Sequence, residues 1–166
     1  QLWFEDGNIV FIAGSKGFKV HRSIILRESA VLKDRCNTEG AGIEYNGLRS
    51  FILDDTTFDV AAMFRGLYGI LKYVSDSEDV PQYTFATISA FLRMGKKYES
   101  PRLHKEAESV LVAHFPPTFD RYDLVCKVES SQRRMKHSRC QSYDIAKLAH
   151  QTNLCDVLPS ALYRAC

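Results

Sequence analysis

Apolar positions change their period along this chain, and the changes divide it into elements. Residues 9–13, IVFIA, are β-branched and aromatic without a break, the composition of a strand. Gly14-Ser15-Lys16-Gly17 follows, and then Phe18 and Val20 alternate with Lys19 and His21. Two strand-like runs around a glycine-bounded turn predict a β-hairpin. The polar triplet His21-Arg22-Ser23 separates it from Ile24, Ile25 and Leu26. Ser23 reads as the N-cap of a short helix, and a second short helix is expected after Ser29, carrying Val31 and Leu32.

From Asn37 to Asn46 the chain is polar and rich in glycine, the pattern of a loop. Residues 50–53, SFIL, read as a third strand. In the DDTTFD that closes it, Thr56 and Asp59 have capping-box spacing. Val60, Met63, Phe64, Leu67 and Tyr68 then recur as one helical face that stops near Gly69. Residues 75–82, SDSEDVPQ, read as an acidic linker. A helix over about 84–98 carries Phe85, Ile88, Leu92 and Tyr98 on one side. Ser100 is placed as the next cap, with Pro101 at the first helical position, followed by Leu103, Ala107, Val110 and Leu111. After the break at 115–117, FPP, helices are expected around 119–129, 143–151 and 156–165. The first two are separated by the polar, basic segment 130–139, SSQRRMKHSR. No internal repeat of roughly 20–50 residues is present. This order predicts an α+β fold, a small sheet with a helical bundle followed by additional C-terminal helices.

Composition narrows the function classes. The 166 residues suffice for one ordinary domain, or one domain with a helical extension. Hydrophobic residues make up 45% and charged residues 25%, enough for a real core. Twenty-two basic against 20 acidic residues leave a net charge of +2, which argues against a dedicated nucleic-acid binder. No apolar run approaches the roughly 18 residues of a membrane span, so no membrane partner is expected. The cysteines, at 36, 126, 140, 155 and 166, are odd in number and scattered. That pattern reads as reduced thiols in an intracellular protein, nuclear or cytoplasmic. A start at Gln1, without a methionine or a signal pattern, reads as a fragment or a trimmed chain.

Candidate chemistry is sparse. His21 has no nucleophile motif beside it, and a histidine at a strand-to-helix junction more often packs or caps than reacts. His104, His114, His137 and His150 show no convergent spacing. Cys126, His137 and Cys140 supply one close pair of metal-ligand types, short of the two pairs that structural zinc uses. The segment GSKG is too short for a phosphate loop and leads into a strand. Asp54-Asp55 and the Asp76, Glu78, Asp79 group fall at a helix start and in a linker, where acidic residues serve solvation and the helix dipole. Arg133, Arg134, Lys136 and Arg139 lack the interleaved aromatics that base stacking needs. The expectation is no catalytic residue, no cofactor, no metal and no enzyme.

Three separated motifs in order nevertheless carry a resemblance. DGNIVFIAGSKGFKVHRSIIL (6–26), LDDTTFDVAAMFRGLYG (53–69) and LRMGKKYESPRLHKEAESVL (92–111) resemble a BTB/POZ domain over residues 6–114. In that family a hairpin leads into Phe-x-Val/Ala-His-Arg/Lys and a helix, then a strand, an acidic turn and paired helices. With AKLAHQTNLCDVLPSALYRAC (146–166), the chain looks most like fungal BTB proteins with helical extensions. The resemblance implies a domain over 1–114, an extension over 115–166, and an interaction module that forms homodimers and recruits partner proteins. Relatives self-associate through the first helix and the adjoining sheet. Some serve as adaptors for cullin-type ubiquitin ligases; others are transcriptional regulators that bind corepressors. In the regulators an Asp on the first strand and a basic residue after the histidine form a charged pocket. The matching positions are Asn8 and Arg22, so the basic residue is kept and the acid is not. Leu32 and Cys36 stand where the family usually carries large aromatics.

The candidate interaction residues are Asn8, Arg22, Ile24, Ile25, Leu26, Ile43 and Tyr45. A helix as short as the first cannot bury three consecutive aliphatics, so at least one is expected to face a partner. A rival reading puts an enzyme or a metal-dependent site in the C-terminal extension; metal analysis of the purified protein separates the two, since stoichiometric zinc belongs to the rival alone. Weak binding is expected for the cullin scaffold. Relatives that recruit it carry an apolar–any–Glu triplet after the second short helix, whereas Glu39 and Glu44 are preceded two positions earlier by Asn37 and Gly42. Ile43 and Tyr45 are the residues of that loop able to supply an anchor in a shifted register. Losing one buried anchor costs about 2 kcal/mol or more, roughly thirtyfold in affinity. Calorimetry against the scaffold's N-terminal domain is therefore expected to give micromolar or weaker binding; nanomolar binding would refute this reading of the loop.

Overall fold

Strict alternation along the first strand decides which side of the sheet becomes core. The computed structural model describes residues 2–38, 42–70, 83–127, 135–136 and 141–165. The acidic linker 75–82 and most of the basic segment 130–139 lie outside the described residues. Two compact units make up the chain, one of Gln1–Ile70 with Arg93–His104, the other of Leu71–Leu92 with Lys105–Cys166. The boundary expected between residues 114 and 115 falls inside the second unit.

In the first unit, β1 (Ile9–Ala13) and β2 (Lys16–Val20) form the predicted hairpin, followed by α1 (Arg22–Glu28) and α2 (Ala30–Asn37). Next come β3 (Ile43–Tyr45), β4 (Leu48–Leu53) and α3 (Thr57–Tyr68). The sheet order is β2-β1-β4-β3, with β1 parallel to β4 and the other two pairings antiparallel. Register sets Phe11 opposite both Phe18 and Phe51. Ile9, Phe11, Ala13, Val20, Phe51 and Leu53 therefore share a face with Phe18, and all are buried. α3 supplies the matching stripe: Val60, Met63, Phe64 and Leu67 are buried, and the Phe64 ring sits 5.3 Å from that of Phe11 and 5.6 Å from that of Phe18. Thr56 caps α3 by accepting the Asp59 N–H, and the helix ends at Gly69 in the left-handed conformation, as the capping-box and glycine-stop pattern predicts.

The start of α1 departs from expectation. Its N-cap is His21, with no cap bond from its own side chain, rather than Ser23. Side chains from elsewhere in the unit substitute: Asn8 Oδ1 accepts the Arg22 N–H at 2.8 Å, and the Tyr68 hydroxyl accepts the His21 N–H at 2.7 Å. Orphan donors of a first turn need some acceptor, not a local one. Ser29 does cap α2, accepting the Leu32 N–H. The stretch expected to be loop to Asn46 contains β3 instead. Asn46 and Gly47, at φ of 50° and 74°, join it to β4; two left-handed residues are what a tight hairpin turn demands.

α4 (Phe85–Lys97) and α5 (Pro101–His114) carry the next apolar faces, with Ile88, Leu92, Tyr98, Leu103, Ala107, Val110 and Leu111 buried and Phe85 half-buried. Ser100 precedes α5, but its buried hydroxyl has no hydrogen-bond partner among the described residues and so makes no cap bond. The second unit adds α6 (Phe119–Lys127), α7 (Gln141–Gln151) and α8 (Leu158–Ala165). α7 and α8 pack together through a turn in which Leu154 N–H donates to Ala149 O at 2.8 Å. One feature of this unit runs against the loop reading of 130–139: β6 (Met135–Lys136) pairs in parallel with β5 (Tyr83–Thr84). Met135 is buried there, a lone apolar residue in a polar run. The architecture is α+β as expected.

Removing Phe64 takes a ring from between Phe11 and Phe18. Phe64→Ala is expected to cost about 3–5 kcal/mol, read as a lowered denaturation midpoint; an unchanged midpoint would remove this face from the core.

Candidate functional site

At the hairpin–helix junction the chain must leave a strand and enter a helix within one residue. His21 does this in an extended conformation, φ −91° and ψ 118°. Its ring is held from both sides, with Nε2 3.0 Å from Asp6 Oδ2 and Nδ1 2.8 Å from the Tyr68 hydroxyl. Phe4 stacks on Tyr68 at 4.7 Å between ring centroids. The hydrogen bond from His21 holds the Asp6 carboxyl below its usual value, and burial pushes the Tyr68 hydroxyl up. The histidine thus fastens residues 4–6 and the end of α3 to the hairpin.

Asn8 and Arg22 come together, as their matched positions imply, but through a cap rather than a charged pair. Asn8 takes the Arg22 backbone N–H, and the Arg22 guanidinium donates to Asn37 Oδ1 at 2.6 Å. An amide at position 8 leaves the guanidinium charge without a carboxylate partner among the described residues. Of the three α1 aliphatics, Ile25 is fully buried and belongs to the core, which removes it from the candidate surface. Ile24 and Leu26 are half-buried. A seven-residue helix points about one side chain per turn straight inward.

Ile43 and Tyr45 stand two apart on β3, so they share one face of the sheet. Register adds to that face Leu48, Ser50 and Ile52 from β4, Val10 and Ile12 from β1, and Gly17 and Lys19 from β2. This is the side opposite the Phe11–Phe64 core. Trp3 reaches it through a bridge to Lys19, and a Cβ at Gly17 would stand 3.3 Å from the indole, so glycine lets the ring lie on the hairpin. Trp3, Ile43, Tyr45 and Ile52 are each between 44% and 52% exposed. Arg35, donating to Ile52 O at 2.7 Å, and Lys19, donating to Glu5 O, bring positive charge to this apolar face. Trp3 and Ile52 escaped the sequence reading. A usable signal was the unbroken apolar run of β1, because a strand apolar on both sides asks for two covered faces.

Of the acidic groups in the sequence, Asp76, Glu78 and Asp79 lie outside the described residues, and the carboxylates at the start of α3 make structural contacts. Asp55 accepts the Tyr98 hydroxyl and pairs with Lys97 at 2.7 Å; Asp59 pairs with Arg93 at 2.6 Å. Ser29, which caps α2, also donates to Tyr98 O at 2.6 Å. Cys36 is buried, and burial raises its thiol pKa. Among the described residues no group of three or more His, Cys, Asp or Glu could hold a metal ion, and no helix is long and apolar enough to cross a membrane. His137 and Cys140 lie outside the described residues. No protein-family model matches the chain, and no curated protein matches it.

Burial first, then the bond to Asp55, holds the Tyr98 hydroxyl far above the ordinary phenol range. A raised folded-state value means this contribution is complete below the unfolded pKa of about 10 and is lost as pH rises toward the folded one. Tyr98→Phe is expected to cost about 1.5–3 kcal/mol at neutral pH and to flatten the alkaline limb of a stability–pH curve. Parallel curves for the two proteins would contradict the assignment.

Proposed function

We propose that this chain is a protein-interaction module of the BTB/POZ type, which self-associates and recruits partner proteins in an adaptor or assembly role. The observation that carries the reading is the half-open sheet, with one face sealed by α3 and the other presenting Trp3, Ile43, Tyr45 and Ile52. Exposed apolar side chains gathered on one sheet face of a folded chain form a candidate interaction surface. From the areas of such side chains the four offer on the order of 400 Å², while a standard interface takes about 800 Å² from each partner. The face supplies about half of one interface, and α1, with half-buried Ile24 and Leu26 and exposed Arg22, is the surface assigned to the remainder. An adaptor or assembly role is favoured over corepressor binding because Asn8 offers an amide where the regulators carry an acid. Scattered thiols, Cys36 among them buried, favour a reducing, intracellular compartment.

Sedimentation at high micromolar concentration is expected to show a dimer, and only monomer there would refute self-association. Tyr45→Thr combined with Ile52→Thr keeps strand propensity while removing apolar surface. This pair is expected to weaken the dimer about tenfold or more, equivalent to about 1.4 kcal/mol, with the thermal midpoint unchanged at concentrations low enough that both proteins are monomeric.

A further inference from the structure

A second surface of the first unit differs in kind. α3 turns Val60, Met63, Phe64 and Leu67 inward, but Phe58, Ala61 and Arg65 recur three and four residues apart on another stripe. This stripe and the β1–β2 turn wall a cleft of about 760 Å³, to which Leu2 and Phe18 also contribute. The small side chain of Ala61 leaves the space open. Phe58 stays 49% exposed at its rim. Lys16 lines one side and Arg65 the other, both exposed, and neither forms an ion pair among the described residues. No Asp or Glu lines the cleft. Arg93 and Lys97, by contrast, are each paired with a carboxylate.

We infer that this cleft is a docking site for an acidic peptide segment carrying an apolar anchor. Two unneutralised cations in a cleft whose mixed lining includes Leu2, Phe18, Phe58 and Ala61 beside Ser15 and Thr57 are complementary to carboxylates next to an aliphatic or aromatic side chain. The volume lies within the roughly 300–1,000 Å³ of ligand sites, but such sites bury most of a small ligand. A cleft with an exposed rim leaves a small molecule half wet, whereas a chain segment can cross the rim and continue over the surface. Magnitude decides against the other polyanions. Two cations release about two counterions from a nucleic acid and fall well short of the roughly four to eight basic residues that hold a protein on an anionic membrane, too little for either. The cleft is lined by none of Trp3, Ile43, Tyr45 or Ile52, so the inference stands apart from self-association.

The test is an array of immobilised hexapeptides of varied charge and apolar content, probed with the full chain. Bound peptides are expected to be enriched in Asp and Glu around at least one Phe, Tyr, Leu or Ile. The best of them, in solution, is expected to lose at least tenfold in affinity against the Lys16→Ala/Arg65→Ala protein and to weaken with salt. Ala61→Trp fills the cleft while keeping both charges, and the same loss is expected; should that protein not fold, the charge variant, altered only at exposed positions, still decides. The Tyr45→Thr/Ile52→Thr protein is expected to keep the wild-type array profile, which separates this site from the sheet face. No bound peptides, a bound set without acidic bias, an unchanged profile for the charge variant, or tighter binding to phosphatidylserine vesicles than to any peptide overturns the inference.

Discussion

Phe64 meets Phe11 and Phe18 at ring separations of 5.3 and 5.6 Å, and the layout of the first unit follows from that contact. For one helix ring to reach both strands, Phe11 and Phe18 must be cross-strand partners on the same face, as the hairpin register makes them. The parallel partner then has one acceptable alignment, with Phe51 beside Phe11. Shifting β4 by one residue would send Phe51 and Leu53 to the far side and bring Ser50 and Ile52 into the core. A parallel neighbour also requires a crossover, and α1, α2 and β3 occupy that stretch of chain. The aromatic contact thus dictates which residues are left on the opposite face, where Ile43, Tyr45 and Ile52 stand about half exposed.

The junction solves a second problem that the first creates. A strand pinned by its aromatic register cannot shift to give the next helix a convenient start, so α1 begins where β2 stops. Its opening donors go to Asn8 and to Tyr68, residues 14 and 47 positions away. Tyr68 is the last residue of α3, and the helix that closes the core also caps the helix leaving the sheet. His21 bonds to that same hydroxyl and to Asp6, which brings the N-terminal segment into the arrangement.

Elements with short-range causes were legible in the sequence. The hairpin, the Thr56 cap, the Gly69 stop and the faces of α3, α4 and α5 all depend on residues within a turn or two of each other. What escaped had remote causes. Ser23 looks like a cap until Asn8 is folded beside it. β6 is two residues long, and only its pairing with Tyr83 and Thr84 makes it a strand. β3 is the exception, since Asn46-Gly47 is a local turn signal that glycine-rich surroundings obscured. The candidate surface divided in the same way: Ile43 and Tyr45 were named from their own loop, whereas Trp3 and Ile52 join them only through sheet register. Ile25 left the surface because exposure within a three-residue aliphatic run is set by helix orientation, which composition does not contain.

The unbroken apolar character of β1 links these observations. In a sheet with one solvated face, β1 would alternate apolar with polar residues, and Val10 and Ile12 do not. Val10 is nevertheless buried and Ile12 half-buried, because Trp3 lies over Gly17 beside them and their neighbours on β2 and β4 flank them. On β4 and β3 of the same face Ser50 is buried, whereas Ile52, Ile43 and Tyr45 are about half exposed. Apolar residues at these positions add nothing to the core that Thr or Lys could not replace, and Lys at a strand edge would discourage association. Their cost is an exposed face that invites contact. A sheet edge that omits this protection, beside a face packed on α3 through Phe11, Phe18, Phe51 and Leu53, supports the proposed partner surface.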